Sequence, residues 1–310
     1  MKTNIIFIIF FLSTVSSISF SQQGIEKEKS VSTDSLSSPR KHLSLGRFLG
    51  LGAENVGQMI FRIPKDDYLF LKNDVTVKQA PIFLGLAGLT GALMHFDQTG
   101  WRFDHNLYNT SSFYHRSADM FVFMGNGEFH FILSGAFAAY GLVFNDNTSL
   151  ITASKIAEAV LSSGLFVQVL KRITGRESPA VANRSKGRWQ FFPGLDQYQD
   201  AQAKYYSFPS GHLASAMATL TVIANQYPQS KWIKPVGYTI LGAIGFSLVE
   251  RGMHWYSDLP LGLFIGYSFG NLIAPPKADT TINDKSAKPD ISILPSIGRH
   301  DFGIDVVYAF

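Results

Sequence analysis

The chain has 310 residues, enough for one large domain or two modest ones. Its formal net charge of +4 is small and no basic stripe accompanies it, which argues against a nucleic-acid surface. With no cysteine it has no disulfide, thiolate nucleophile, iron–sulfur cluster or cysteine zinc site, and 16% charged against 14% aromatic residues fits a bundle of helices that are apolar nearly all round or lie near lipid.

Residues 1–21 read as an export signal: Lys2 precedes the apolar run Ile5 to Leu12, and Ser19-Phe20-Ser21 offers a cleavage site before Gln22. Residues 22–44, rich in Ser, Lys, Glu and Asp, read as a disordered tether. Apolar spacing from Leu45 to Leu71 predicts amphipathic helix, broken at Pro64 with Lys65, Asp66 and Asp67 solvating the turn.

Six apolar runs follow: Pro81 to Met94, Phe131 to Phe144, Ile156 to Leu170, Leu213 to Ala224, Pro235 to Val249 and Leu259 to Ala274. The stretch Trp101 to Phe129, with Asp104, His105, His115, Arg116 and Asp119, and Asp97 just before it, reads as a solvated loop whose spacings match no metal-ligand pattern. In the last run Gly262, Gly266 and Gly270 recur every fourth residue and bare one helix face for a neighbouring backbone. The runs are 12 to 16 residues long, short of the roughly 20 that cross a bilayer. A membrane-associated bundle is expected, with a soluble exported bundle as the alternative. Residues 275–290 read as a linker and 291–310 as a short β-hairpin. The predicted fold is all-α, a six-helix bundle over 45–274 with its core at 81–274.

The chemistry-bearing residues lie at the ends of these helices. In Pro209-Ser210-Gly211-His212, proline discourages helix, Ser210 caps the run that follows, and the first amides make an anion site beside a histidine that titrates near neutrality. An ordinary capped helix presents the same four residues. Upstream, Lys171, Arg172 and Arg176 cluster where the third run ends in Gly175 and Pro179; downstream, His254 and Asp258 are four apart, within reach on a helical turn. Ends of antiparallel neighbours meet, so the three clusters can share one pocket.

Together these residues resemble the signature of the type 2 phosphatidic acid phosphatases, a family that shares a helical fold with bacterial acid phosphatases and vanadium haloperoxidases. That signature is Lys, six residues, Arg-Pro; then Pro-Ser-Gly-His; then Ser-Arg, five residues, His, three residues, Asp. Lys171 and Pro179 fit the first part, Pro209 to His212 the second, and Ser247, His254 and Asp258 the third. Ser178 and Leu248 stand where the family has phosphate-holding arginines, and Arg176 and Arg251 are expected to replace them.

The resemblance implies a metal-independent phosphatase acting on a phosphate monoester or diphosphate, of phosphatidate, prenyl or lipid A type. His254 would be the nucleophile oriented by Asp258, His212 the general acid–base, and Lys171, Arg176, Arg251, Ser210 and Gly211 the phosphate holders. The aromatic-rich stretch Ala180 to Ser207 would choose the substrate, with Arg188, Trp189, Tyr205 and Tyr206 at its mouth. No metal or cofactor is expected, except vanadate under a haloperoxidase alternative; a third reading is a non-catalytic protein binding anionic lipid. The signal places the chain on the periplasmic side, at the inner membrane or as a soluble periplasmic protein.

Overall fold

The computed structural model describes residues 62–144, 146–276, 290–297 and 302–309. The expected signal, the tether, residues 45–61 of the amphipathic stretch and linker residues 277–289 lie outside these, and Asp290, expected in the linker, begins the first strand. Among the described residues a first helix, α1 (62–74), precedes α2 (Ala80–Tyr108), α3 (Ser112–Gly125), α4 (Gly127–Phe144), α5 (Asn147–Thr174), the short α6 (Leu195–Asp200), α7 (Gly211–Gln226), α8 (Ile233–Glu250) and α9 (Leu259–Ile273). Strands β1 (Asp290–Ile297) and β2 (Phe302–Ala309) pair antiparallel, from Asp290 opposite Ala309 to Ile297 opposite Phe302.

The all-α class holds, with helices beyond the six expected. The supposed loop from Trp101 to Phe129 is the end of α2 followed by α3. Asp119 is exposed as expected, but Asp104 and the preceding Asp97 are not solvated. Asp97 and Asp104 are buried, Asp97 bonded to Ser257 and Arg176 and Asp104 to the Tyr256 hydroxyl, so α2 continues through them. Pro64 lies within α1 as described, and the helix runs on from it through Asp74. The turn expected to be solvated at Asp66 is instead held against α5, by a hydrogen bond from Ser162 at 3.3 Å.

Local chemistry sets the helix ends. Asp146 caps α5 by accepting from the Thr148 and Ser149 amides, and Gly175 ends it at φ 51°, a conformation that favours glycine. An added Cβ at Gly175 would lie 2.0 Å from the Gln190 carbonyl oxygen, so the chain returning at 190 packs against bare backbone.

α7 is the central helix, buried along nearly its whole length. The glycine stripe of α9 lies on it: a Cβ at Gly262 would come 2.4 Å from the Ser210 carbonyl oxygen, and one at Gly266 2.2 Å from that of Ala214. Phe70 ties α1 in, with its ring 4.8 Å from Phe269 and 4.9 Å from Phe166. Gly262→Ala is expected to cost about 1–3 kcal/mol and to disturb the capped start of α7. Gly245→Ala, whose Cβ would meet Leu259 at an ordinary 3.4 Å, should be neutral or slightly stabilising. Thermal unfolding of the two variants checks this; an equal loss for both would overturn the packing argument.

Three helices, α2, α4 and α5, are long and apolar enough to cross a membrane. They exceed the expected runs by carrying polar residues inside the helix, of which Asp97 and Asp104 on α2 find partners in the bundle. Outward they present Leu84, Phe96 and Phe103 on α2 and Ile132, Val143 and Phe144 on α4, all exposed. An apolar face of that extent marks an interaction surface.

Candidate active site

The end of α5, the start of α7 and the α8–α9 connection converge. A Cβ on Gly211 would lie 3.8 Å from Lys171 Nζ, the His212 and His254 rings are 5.7 Å apart, and the Ser210 amide donates to the Asp258 carbonyl at 3.0 Å. The three clusters seen in the sequence therefore meet in one place. Ser210 caps α7 by accepting from the Leu213 amide at 3.4 Å. The first amides of α7 face into the pocket region with no helical carbonyl to bond, a ready site for an anion.

His254 is fully buried, and its two ring nitrogens differ sharply. Nδ1 lies 2.6 Å from the Ser207 carbonyl oxygen. A carbonyl only accepts, so Nδ1 carries the proton and the lone pair is on Nε2. Nε2 has no hydrogen-bond partner, nor does Lys171 Nζ. Burial holds the His254 imidazolium form down, keeping the ring neutral.

Asp258 does not hold His254 in the way expected from the four-residue spacing. The segment 254–258 is an extended stretch and a tight turn, not α-helix, and Asp258 Oδ2 stays 3.7 Å from Nδ1. Its carboxylate instead accepts from Ser207 Oγ at 2.5 Å and the Trp255 amide at 2.7 Å. It thus fixes the residue whose carbonyl orients His254. Burial pushes the Asp258 carboxyl up, but the Arg176 guanidinium outweighs it and holds the group below the usual carboxylate range.

Arg176, expected on the phosphate, has no donor left for one. Nε donates to the Lys186 carbonyl, Nη1 to Ser257 Oγ at 2.7 Å and Asp258 at 2.5 Å, and Nη2 to Asp97 at 2.7 Å and the Lys186 carbonyl at 3.0 Å. Its guanidinium carbon lies 4.9 Å from the Trp189 ring and 5.7 Å from that of Trp255. It is a buried clamp between two carboxylates.

Of the expected mouth residues, Tyr206 lies over the site, with Lys171 Nζ 3.3 Å from its ring centroid. Trp189 packs on Arg176, Tyr205 is buried, and Arg188 is exposed, bonded to Gln190 at 2.7 Å. Ser207, Asp97 and Ser257 were missed by sequence reasoning, and so was His130, buried on α4 and near enough to His212 to act on it electrostatically. None sits in a motif, so no signal in the sequence could have found them. Burial lowers the His212 pKa well below its ordinary value, and the neighbouring His254, Lys171 and His130 lower it further by disfavouring a second positive charge there. Among the described residues no group of three or more His, Asp or Glu side chains is placed to hold a metal ion.

Residues 152–277, which contain all three clusters, match the family model of the PAP2 superfamily. The match covers less than half of the chain. Over 67 residues it is 37% identical to a lipid A 1-phosphatase of Porphyromonas gingivalis, a stretch that covers 21% of this chain and 15% of that protein. It is also similar to two crystal structures. One is Aquifex aeolicus LpxE, at TM-score 0.41 and 21% identity over 56% of this chain and 91% of that one. The other is the first transmembrane PAP2-type phosphatidylglycerolphosphate phosphatase from Bacillus subtilis, at 0.45 and 17% over 64% and 94%.

The two departures from the signature take structural form. Leu248 is fully buried in the cluster of Leu213 and Ile244, and Ser178 is buried with its amide on the Ala203 carbonyl at 2.9 Å. Arg251, expected to replace the arginine at 248, pairs through Nη1 with Asp119 and donates to the Tyr108 hydroxyl at 2.9 Å, its side chain 36% exposed. A pair so exposed is worth at most about 1 kcal/mol. Arg251→Ala is therefore expected to change kcat/KM less than about fivefold. A loss of a hundredfold or more in steady-state assays would return it to the phosphate.

Proposed function

We propose that this chain is a phosphatase that hydrolyses the phosphate monoester or diphosphate of a membrane lipid through a phosphohistidine on His254. The observation that carries the reading is the buried His254 Nε2, bearing a lone pair and no partner, close to Lys171 Nζ and the start of α7. An unprotonated imidazole nitrogen there is a nucleophile, and unpaired donors around it are what a phosphoryl group needs.

In the proposed reaction the Nε2 lone pair attacks phosphorus. The N–P bond forms as the P–O bond to the lipid alcohol breaks, and His212 gives its proton to the departing oxygen. The incoming phosphate supplies the negative charge that lets His212 hold that proton in a site where it is otherwise neutral. His212 then takes a proton from water, whose oxygen attacks phosphorus; the N–P bond breaks, phosphate leaves and the imidazole is restored. Lys171, Ser210 and the Gly211 amide hold the phosphoryl oxygens. Asp258 stabilises the imidazolium across 3.7 Å and positions Ser207.

A lipid substrate is supported by the exposed apolar faces of α2 and α4 and by the name of the Porphyromonas relative. The exposed Arg184, Lys186 and Arg188, beside exposed Phe191 and Phe192, suit an anionic lipid surface at the mouth. The substitutions at Ser178 and Leu248 favour one other reading, a protein that binds the lipid phosphate without turning it over.

Assay of the purified full chain in chelator decides between them. With a chromogenic phosphate ester, phosphatidate, a prenyl diphosphate and lipid A as substrates, release of phosphate that vanadate inhibits is expected. Binding without release from any of them would establish the second reading.

A further inference from the structure

The opposite end of α5 carries a charged cavity that the reaction does not use. About 300 Å³ in volume, it is lined by Arg62, Lys65 and Asp66 of α1 and by Lys155 and Glu158 of α5. Lys155 precedes Lys171 by sixteen residues, about 24 Å along the helix axis. α5 has 28 residues, about 42 Å, which exceeds a hydrocarbon core of roughly 30 Å. In the membrane placement argued above, the cavity and the catalytic pocket therefore lie toward opposite faces of the bilayer.

Its charges do not cancel. Two carboxylates line it, Asp66, which accepts from Ser162 Oγ at 3.3 Å, and Glu158. Three cations, Arg62, Lys65 and Lys155, line it against those two carboxylates. Leu69, Ile151, Leu272 and Ile273 complete the wall with apolar surface. A cationic recess bordered by an aliphatic strip suits a group that is anionic at one end and hydrocarbon at the other.

We propose that this cavity binds the phosphate headgroup of an anionic lipid from the leaflet opposite the catalytic pocket. Arg62, Lys65 and Lys155 take the phosphate, and the aliphatic side chains take the first acyl carbons. The volume suits a headgroup rather than a whole lipid. The proposal rests on the membrane placement of the bundle and not on its phosphatase activity.

Native mass spectrometry of the full chain tests it, after reconstitution in phosphatidylcholine nanodiscs with and without phosphatidylglycerol. The wild type and His254→Ala are expected to retain phosphatidylglycerol equally, so occupancy of the catalytic pocket does not enter. Arg62→Gln with Lys155→Gln should retain it about tenfold less. Because removing charges beside Asp66 can unsettle the fold, Lys65→Gln, at an exposed position, serves as a second variant with an expected loss of about fivefold. Equal retention by all four proteins overturns the proposal, as does loss in His254→Ala alone. Variant-sensitive binding of inorganic phosphate without retained lipid would overturn the lipid assignment. A wild type inactive as a phosphatase but showing the expected retention pattern would sink the catalytic reading and leave this one standing.

Discussion

His254→Asn is expected to lower kcat by a thousandfold or more while the protein stays folded. The amide can still donate to the Ser207 carbonyl, 2.6 Å from Nδ1, but no nitrogen lone pair remains to attack phosphorus. His254→Ala should be equally inactive and less stable, because it also leaves a cavity in a fully buried site. Stopping the wild-type reaction in alkali within the first turnover, where a phosphohistidine survives, should show one phosphoryl group on His254. Substantial turnover by His254→Asn would sink the nucleophile assignment. The pH dependence follows from the same geometry. The folded pKa of His254 lies below 6.5, so activity should persist to the acid side of 6.5 and fall only as Nε2 becomes protonated. His254 and His212 are both depressed, so the stability they contribute is fully present above their unfolded pKa near 6.5 and drains away as pH falls below it. Asp258, also depressed, acts in the same direction below about pH 4.

Arg176→Ala is expected to cost about 3–5 kcal/mol of stability, because it leaves Asp97 and Asp258 buried without their cation. Arg176→Lys keeps the charge but cannot reach Asp97, Asp258, Ser257 and the Lys186 carbonyl at once, nor stack between Trp189 and Trp255. It should lower the unfolding temperature and kcat together, with KM changed little, since the loss is of Asp258 and Ser207 positioning rather than of substrate binding. An arginine on the phosphate would behave differently. Its lysine variant would raise KM and weaken vanadate inhibition at an unchanged unfolding temperature, and that result would overturn the clamp.

The sequence by itself determined the parts of this protein that depend on neighbours along the chain. The capped start of α7 at Ser210, the glycine end of α5, the bare face of α9 and the order of Lys171, His212 and His254 are all local, because caps, small-residue stripes and motif spacings act within a turn or two. The length of α2, the course of α1 past Pro64 and the partners of Arg176 were decided elsewhere. Asp97 and Asp104 look like loop residues until Arg176, Ser257 and Tyr256 arrive from more than seventy residues away to satisfy them. Arg176 and Arg251 differ for the same reason. Both stand near a signature position, yet one is enclosed by two carboxylates and two indoles and the other meets Asp119 at the surface. A guanidinium's role is set by which acceptors fill its donors, and those acceptors are assembled only when the chain folds.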